Sequence, residues 1–194
     1  LVIGYDHHFG KDREGNIELL KKNSEVYPFK LEEIKAHEIE EIKISSTKVR
    51  KAIEKGDIHL VNEYCGHYYE FSGEVVHGNG IGKTIGTPTA NIEIDKAEKI
   101  IPADGVYAVV CQANEKTING IMNIGFKPTL NKLEERTIEI HLFNYEKDLY
   151  GTILKTKVIQ KIRNEFKFKS LEDLKKQIIV DNEKAKKILM ISNL

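Results

Sequence analysis

Six short runs rich in Val, Ile, Thr, Tyr and Phe follow one another between residues 68 and 162, and they constrain the fold of this chain more than any other feature. Gly, Asn, Asp and Pro separate the runs, which is the turn chemistry expected between strands. Six short strands in series predict an antiparallel barrel or sandwich. The predicted strands are Tyr68–His77, Thr89–Ile94, Gly105–Gln112, Thr117–Asn123, Arg136–Phe143 and Ile153–Ile162.

The fifth run indicates which face of its strand meets the core. Residues along a strand alternate between its two faces. Ile138, Ile140 and Leu142 therefore share one face, while Glu139 and His141 share the other. The apolar face predicts the core side, and a carboxylate and an imidazole remain on the opposite side.

The chain on either side of these runs has a different character, so we expect an α+β protein overall. The tail predicts a helix: Ser170 begins a Ser-Leu-Glu-Asp capping box, and apolar residues continue at helical spacing from Leu171 to Leu189, with Asp181 as a polar exception. The first part mixes strands and helices in α/β fashion. There we predict strands at Leu1–Gly4, Val26–Phe29 and Ile42–Ile44, a solvated charged face over Lys30–Lys43, one helix from Ser46 or Thr47 to Gly56, and another from Asp57 through Cys65.

The charges of the chain balance. Thirty Lys and Arg residues face thirty Asp and Glu residues, which argues against a broad surface for nucleic acid or membrane but leaves local binding of a small anion open. No apolar run approaches the ~18 residues of a membrane span. The two cysteines, Cys65 and Cys111, are too few for a disulfide scaffold and lack metal-ligand spacing, which favours a reducing cytoplasm.

A glycine-rich stretch lies between the first two predicted strands. Four glycines occur between Gly78 and Gly86, and glycine lets backbone N–H groups approach a phosphate closely. Gly82, Lys83, Thr84 and Gly86 are therefore candidate phosphate-binding residues. The stretch is not a Walker A loop, because the upstream glycine spacing is absent and no helix follows. A purely structural hairpin loop explains the same residues equally well.

The next residues predict a site for a hard cation. Pro88 fixes the backbone at the start of a strand, and Thr89 and Asn91, two residues apart, point to the same side of it. A hydroxyl and an amide oxygen suit an ion such as Mg²⁺ that also holds phosphates. On a later strand, Glu139 could accept a proton from a substrate hydroxyl. Taken alone, each of these residues is explained more simply as an ordinary strand residue.

Taken together, the segments resemble riboflavin kinases. The resemblance runs from about Tyr68 to the C-terminus, and six segments in the same order are far more specific than any single motif. The segments are GKTIGTPTAN (82–91), PADGVYA (102–108), NIGFKPT (123–129), RTIEIH (136–141), DLYG (148–151) and FKSLEDL (168–174).

This resemblance implies a six-stranded antiparallel β-barrel with a C-terminal helix, in an enzyme that phosphorylates riboflavin with ATP to give FMN and ADP. It implies that Thr89 and Asn91 bind Mg²⁺ and phosphate oxygens, that the glycine-rich loop through Gly86 closes over ATP, and that Glu139 is the base. Thr87 departs from the family, which has an aromatic residue before this proline, so the resemblance does not cover the packing beside the nucleotide. The alternative is a flavin-binding regulatory module without turnover.

The front of the chain resembles another domain. Gly4–Gly10 and Ile44–Arg50 are similar to later motifs of the FMN adenylyltransferase domain that precedes riboflavin kinase in bacterial bifunctional FAD synthetases. Serine and threonine at a helix N-terminus can bind phosphate, and an arginine one turn on adds charge; an ordinary helix cap with a surface arginine is the alternative. The residues that carry this resemblance are Gly4, Asp6, Phe9, Gly10, Ser46, Thr47 and Arg50.

These two resemblances predict the domain organisation. We expect a C-terminal remnant of an FMN adenylyltransferase, a partial α/β nucleotidyltransferase domain, over residues 1–66, and a riboflavin kinase domain over residues 67–194. The early His-x-Gly-His nucleotide motif of the adenylyltransferase does not occur in this sequence. We therefore expect no adenylyl transfer by this chain, although the full-length family members combine both activities.

Overall fold

Helices and strands fall into two units, Leu1–Ser45 and Ser46–Leu194. The structure is a computed structural model, and it describes residues 1–4, 6–34, 38–39, 42–78, 82, 86–94, 99–113, 116–128, 134–168 and 170–192.

The first unit contains a small parallel βαβ arrangement. Strand β1 (Val2–Gly4) pairs in parallel with β2 (Glu32–Ile34), and helix α1 (Ile17–Ser24) lies between them in sequence, as a parallel connection requires. A short 3₁₀ turn at Lys11–Arg13 precedes α1, and a two-stranded hairpin of β3 (Glu38–Ile39) and β4 (Ile42–Lys43) follows β2. The expected α/β character of this part is confirmed.

One strand prediction in this unit is wrong. We expected a strand at Val26–Phe29, but this segment is a turn after α1, and the strand lies at Glu32–Ile34 inside the stretch expected to be only a charged face. The N–H groups of Val26 and Tyr27 both donate to the carbonyl of Asn23, which continues the helix end and removes them from any ladder. Pro28 follows at once and has no N–H to donate.

The second unit is built on a closed antiparallel barrel, so the barrel expectation is confirmed. All six predicted strands form, and every end lies within a few residues of its prediction except the end of the fourth, which extends to Pro128. Around the barrel the order is β10-β5-β6-β9-β8-β7. The strands are β5 (Tyr69–Val76), β6 (Ala90–Glu93), β7 (Gly105–Ala113), β8 (Lys116–Pro128), β9 (Glu134–Leu142) and β10 (Ile153–Arg163).

Alternation along the strands fills the barrel interior. In β9, Ile138, Ile140 and Leu142 are buried, as predicted, and Glu139 and His141 between them are only partly buried. The residues that share this core are large and apolar, and burying each such side chain contributes about 2 kcal/mol. They include Phe71, Tyr107, Met122, Ile124, Leu154 and Val158.

Two helices pack on the outside of this barrel. Helix α2 (Ser46–Lys55) and helix α3 (Ile58–Cys65) follow the predicted limits, with Gly56 and Gly66 in the left-handed conformation at their ends. Asn62 of α3 donates to the carbonyls of Val158 and Ile159 in β10 at 3.1 Å each and accepts from the N–H of Tyr69 in β5 at 2.7 Å. The boundary between the two compact units therefore lies after Ser45. The boundary at residue 66 between an adenylyltransferase remnant and a kinase domain stays a prediction.

The tail is the predicted helix, α4 (Leu171–Ile191), with Ser170 as its N-cap, accepting from the N–H of Asp173 at 3.1 Å. Of the expected apolar stripe, Ala185 and Leu189 are buried, whereas Leu171 is 54% exposed, because it lies at the first helical position. In the described part of the chain, no helix has the length and apolar character needed to cross a membrane.

The contacts of Asp181 explain why a polar residue interrupts this apolar stripe. It is 2% exposed, and its carboxylate accepts from Arg163 Nε at 2.9 Å and from Gln177 Nε2 at 2.8 Å. At this position the helix therefore meets the barrel through a buried ion pair, while Ala185 and Leu189 pack against apolar barrel residues.

Replacing Asp181 with Ala should lower the free energy of unfolding by about 3 kcal/mol, because Arg163 keeps its charge in a mostly buried position. Urea unfolding followed by circular dichroism measures this. Glu183→Ala, on an exposed position of the same helix, is the matched control and should change the free energy by no more than about 0.5 kcal/mol. Equal losses in the two variants would show that the ion pair is not important for stability.

Candidate active site

Three polar residues form a row across the outer face of the barrel. Asn91 in β6 and Asn123 in β8 lie directly opposite Glu139 of β9 in the two ladders that flank it. Ile138 and Ile140, the neighbours of Glu139 in β9, are buried in the core, so Glu139 points away from it. Directly paired residues have Cβ atoms about 5 Å apart. One carboxylate therefore has an amide side chain on either side.

Thr89 joins this row from the segment just before β6. Its Oγ1 hydroxyl donates a hydrogen bond to Glu139 Oε2 at 2.9 Å. Thr89, Asn91 and Glu139 are all partly buried. The fold thus brings Thr89 and Asn91, expected to bind metal and phosphate, close to Glu139, which is expected to act as base and lies about 50 residues later in the sequence.

A backbone hydrogen bond ties the segment that carries Thr89 to Gly82. The N–H of Thr87 donates to the carbonyl of Gly82 at 2.8 Å. A Cβ atom at position 82 would overlap the Thr87 carbonyl and would lie 3.1 Å from Thr89 Oγ1, so glycine is required for space. Gly86 is exposed and has a φ of 79°, which favours glycine for conformation.

Gly78 is packed against the side chain of Asn91. A Cβ atom at position 78 would overlap Nδ2 and Cγ of Asn91 and would lie 2.7 Å from its Oδ1. The sequence placed Gly78 in the glycine-rich stretch without indicating this partner. Two other predicted phosphate-binding residues, Lys83 and Thr84, lie outside the residues that the structure describes.

His141 supports the same segment. Its Nδ1 lies 2.8 Å from the carbonyl oxygen of Pro88, a distance at which a protonated Nδ1 donates a hydrogen bond. The alternation in β9 placed His141 on the face of Glu139, but its contact could not be predicted, because it depends on the pairing of β9 with β6.

A second carboxylate lies beyond Asn123. Glu165, just after β10, accepts hydrogen bonds from the Asn123 side chain and from the N–H of Phe126. It lies over Gly125, where a Cβ atom would overlap its carboxylate. Partial burial raises the pKa of Glu165. The polar row therefore continues to a residue that no sequence pattern singled out.

Two segments of the family resemblance have structural contacts. Arg136 at the start of β9 donates through Nε to Asp104 Oδ1 at 2.7 Å and through Nη2 to the carbonyl of Pro102. The hydroxyl of the fully buried Tyr107 donates to the carbonyl of Ala103, and burial raises its pKa. These bonds fasten the segment before β7 to β9.

Two cavities of the described part of the chain open near these strands. The larger, about 360 Å³, is lined by Glu70, Glu74 and Glu93 with Lys99, and its lining includes no residue of the polar row. The smaller, about 210 Å³, opens directly beside Thr89. Its lining includes Pro88, Thr89, Ala90, Tyr145, Leu149 and Tyr150, together with the charged residues Glu146, Lys147 and Asp148. The smaller cavity is therefore the one that belongs to the site.

The predicted adenylyltransferase residues fall in both units. Gly10 has a φ of 78°, and Phe9 forms a two-way backbone bridge with Gly15 at 2.9 Å. Ser46 and Thr47 form the first turn of α2 and are exposed, as is Arg50. Gly4, Asp6, Phe9 and Gly10 belong to the unit Leu1–Ser45, and Ser46, Thr47 and Arg50 to the unit Ser46–Leu194.

Both parts of the chain are similar to known protein families. A riboflavin kinase family model matches residues 65–189, and an FAD synthetase family model matches residues 1–48. The bifunctional riboflavin kinase/FMN adenylyltransferases of Haemophilus influenzae and Buchnera aphidicola (subspecies Schizaphis graminum) are 40% and 43% identical over 96% of this chain. The chain spans 60% of the length of these two relatives.

A solved structure has the same fold. The crystal structure of a macrolide-efflux protein from Streptococcus pneumoniae matches with a TM-score of 0.84 at 32% identity, covering 95% of this chain and 60% of the other. The family match spans most of this chain and includes every strand of the barrel and all of the polar row. The chain therefore belongs to the riboflavin kinase family, with its relatives among the bifunctional riboflavin kinase/FMN adenylyltransferases.

Proposed function

We propose that this chain transfers the γ-phosphoryl group of ATP to a hydroxyl group of riboflavin, giving FMN and ADP. The contact of Thr89 Oγ1 with Glu139 Oε2, beside Asn91, carries the proposal. The hydroxyl of Thr89 and the amide oxygen of Asn91 are ligands that suit a metal ion with bound phosphates. They lie beside the Glu139 carboxylate, which can accept a proton. Membership of the riboflavin kinase family supplies the identity of the two substrates.

Mg²⁺ is the ion that we propose for this site. Thr89 and Asn91 offer a hydroxyl and an amide oxygen, which are donors that Mg²⁺ accepts. Among the described residues, no group of three or more His, Cys, Asp or Glu side chains is placed to hold a metal. That fits Mg²⁺, because it keeps several waters and binds through few protein oxygens together with substrate phosphates. When bound, the ion would neutralise phosphate charge.

The two sides of Glu139 would then hold different substrates. Attacking and leaving oxygens lie roughly in line across the transferred phosphorus. If the phosphates lie on the β6 side, near Thr89 and Asn91, the riboflavin hydroxyl approaches from the β8 side, near Asn123. Glu139 takes the proton of that hydroxyl as its oxygen bonds to the γ-phosphorus and the bond from phosphorus to the ADP oxygen breaks. Because the transition state is loose, positioning contributes more than the base.

We place the base of ATP in the cavity beside Thr89. Its volume of about 210 Å³ is below the usual range for a complete ligand pocket, about 300 Å³ and above, so it suits a ring system better than a whole nucleotide. The triphosphate would extend past Gly82 and Gly86, toward Glu139. Lys83 and Thr84 remain proposed contributors from the same stretch.

ADP release measured with a coupled assay tests the function. We expect release to require both riboflavin and Mg²⁺, and FMN to form in equal amount by chromatography. Flavin binding in calorimetry without any nucleotide binding or turnover would instead favour the alternative, a flavin-binding regulatory module.

We also propose that residues 1–66 derive from an FMN adenylyltransferase domain, that the kinase domain comprises residues 67–194, and that the protein works in the cytoplasm. The match of residues 1–48 to the FAD synthetase family supports the first part. The two cysteines are both free, which fits a reducing compartment. Incubation with FMN and ATP, followed by chromatography for FAD, tests adenylyl transfer separately from the kinase reaction.

A further inference from the structure

Two exposed aromatic rings stack beside the proposed phosphate site. The centroids of the His77 and Tyr150 rings are 3.8 Å apart, and the rings are inclined by 28°. His77 is the first residue after β5, and Tyr150 lies in the turn between β9 and β10. The pair therefore connects two segments that are far apart in sequence, and the proposed phosphoryl-transfer step uses neither ring.

The turn that carries Tyr150 is anchored to the barrel. The N–H of Gly151 donates to the carbonyl of Val75 at 2.9 Å, and the N–H of Val75 donates to the carbonyl of Thr152 at the same distance. The N–H of Tyr150 itself donates to Asp148 Oδ1 at 2.9 Å. The backbone at Tyr150 is therefore held in place, and its ring can stack against a neighbouring ring.

The segment that carries His77 leads directly to a proposed metal ligand. Val76 pairs with Asn91 in the β5–β6 ladder, and Gly78 packs against the Asn91 side chain so closely that no Cβ atom fits between them. One residue separates the ladder from this contact, and that residue is His77. Whatever holds the His77 ring also limits the movement of Gly78 relative to Asn91.

We propose that the stacked pair of His77 and Tyr150 positions Asn91, by holding the backbone at Gly78 against the Asn91 amide. The inference rests on the proposed function, because it takes Asn91 as a ligand of the metal–nucleotide complex. His77 is a positioning residue that touches neither substrate, whereas Tyr150 both supports the His77 ring and lines the cavity in which we place the base of ATP. Substitution of residues that orient a metal ligand without contacting the metal commonly lowers metal affinity as well as activity.

Binding of ADP, measured by calorimetry in saturating Mg²⁺ and again in EDTA, tests the pair without turnover. In the unmodified protein we expect Mg²⁺ to strengthen ADP binding. In His77→Ala this strengthening should fall by about fivefold, the effect expected from loss of one ring pair, while ADP affinity in EDTA stays the same. Tyr150→Ala should lose the same strengthening and also bind ADP more weakly in EDTA, because Tyr150 lines the cavity in which we place the base. His77→Phe keeps a ring and should retain the strengthening.

His59→Ala is the matched control, since His59 is an exposed histidine on α3 outside the site, and it should behave like the unmodified protein. The double variant should lose no more of the Mg²⁺-dependent strengthening than either single variant, because both substitutions remove the same stacking contact. Additive losses, a His77→Phe variant as weak as His77→Ala, or ADP binding that Mg²⁺ never strengthens would each overturn the proposal. Absence of riboflavin phosphorylation with Mg²⁺-dependent ADP binding intact would overturn the proposed function alone.

Discussion

Replacing Glu139 with Gln should lower the turnover number for riboflavin phosphorylation by about 100-fold. Glutamine has nearly the same shape and can still accept a hydrogen bond from Thr89 through its amide oxygen, so the packing of the site is kept. It cannot take up the proton of the riboflavin hydroxyl. We expect the low end of the range for loss of a general base, because in a loose transition state the proton moves late and positioning dominates.

Steady-state kinetics with ATP and riboflavin varied separately measure this effect. The KM for ATP should change by less than about threefold, since the substitution removes no interaction that holds ATP equally in the ground state and the transition state. Glu74→Gln is the control: Glu74 is also an exposed-face glutamate of a barrel strand, but it lies in β5 and lines the other cavity. It should leave the turnover number unchanged. A turnover number for Glu139→Gln equal to that of the control would show that Glu139 is not the base.

The barrel strands could be predicted because their signals are local. Two-residue alternation and Gly, Asn, Asp and Pro in the turns are properties of neighbouring residues, and they located all six strands. Closure into a barrel needs pairing of strands that are distant in sequence, such as β5 with β10. It came from the family resemblance, since the residues alone left a sandwich open. The strand expected at Val26–Phe29 failed for a local reason, the helix end and Pro28.

The site could be predicted in part. Alternation placed Thr89 and Asn91 on one side of a strand, and Glu139 on the outer face of another. Their meeting depends on the register that sets Asn91 opposite Glu139, which no local pattern gives. The contacts of Glu165 with Asn123 and of His77 with Tyr150 are likewise tertiary. Asp181 was visible as an exception in a helical stripe, but its partner Arg163 was not.

Replacing Gly78 with Ala should reduce kcat/KM for ATP by at least about tenfold, the size of effect seen when a metal ligand is disturbed. The three atoms nearest to the new Cβ all belong to the Asn91 side chain, so this side chain must move away from its place beside Glu139. The φ of Gly78 is outside the left-handed region, so the backbone accepts alanine. Thermal stability should therefore not fall, and alanine even lowers the entropy of the unfolded chain.

The Asn91→Ala background gives the matched control for this substitution. Asn91→Ala alone should also lower kcat/KM for ATP by at least about tenfold, and it removes the atoms with which a Cβ at position 78 collides. Gly78→Ala should then add no further loss, because the effect of the methyl group passes through Asn91 alone. Steady-state kinetics of the two single variants and the double variant, with melting curves for each, measure this. A further tenfold loss in the double variant would mean that Gly78 serves the reaction by a route other than Asn91, for example by direct approach of its backbone to the phosphates.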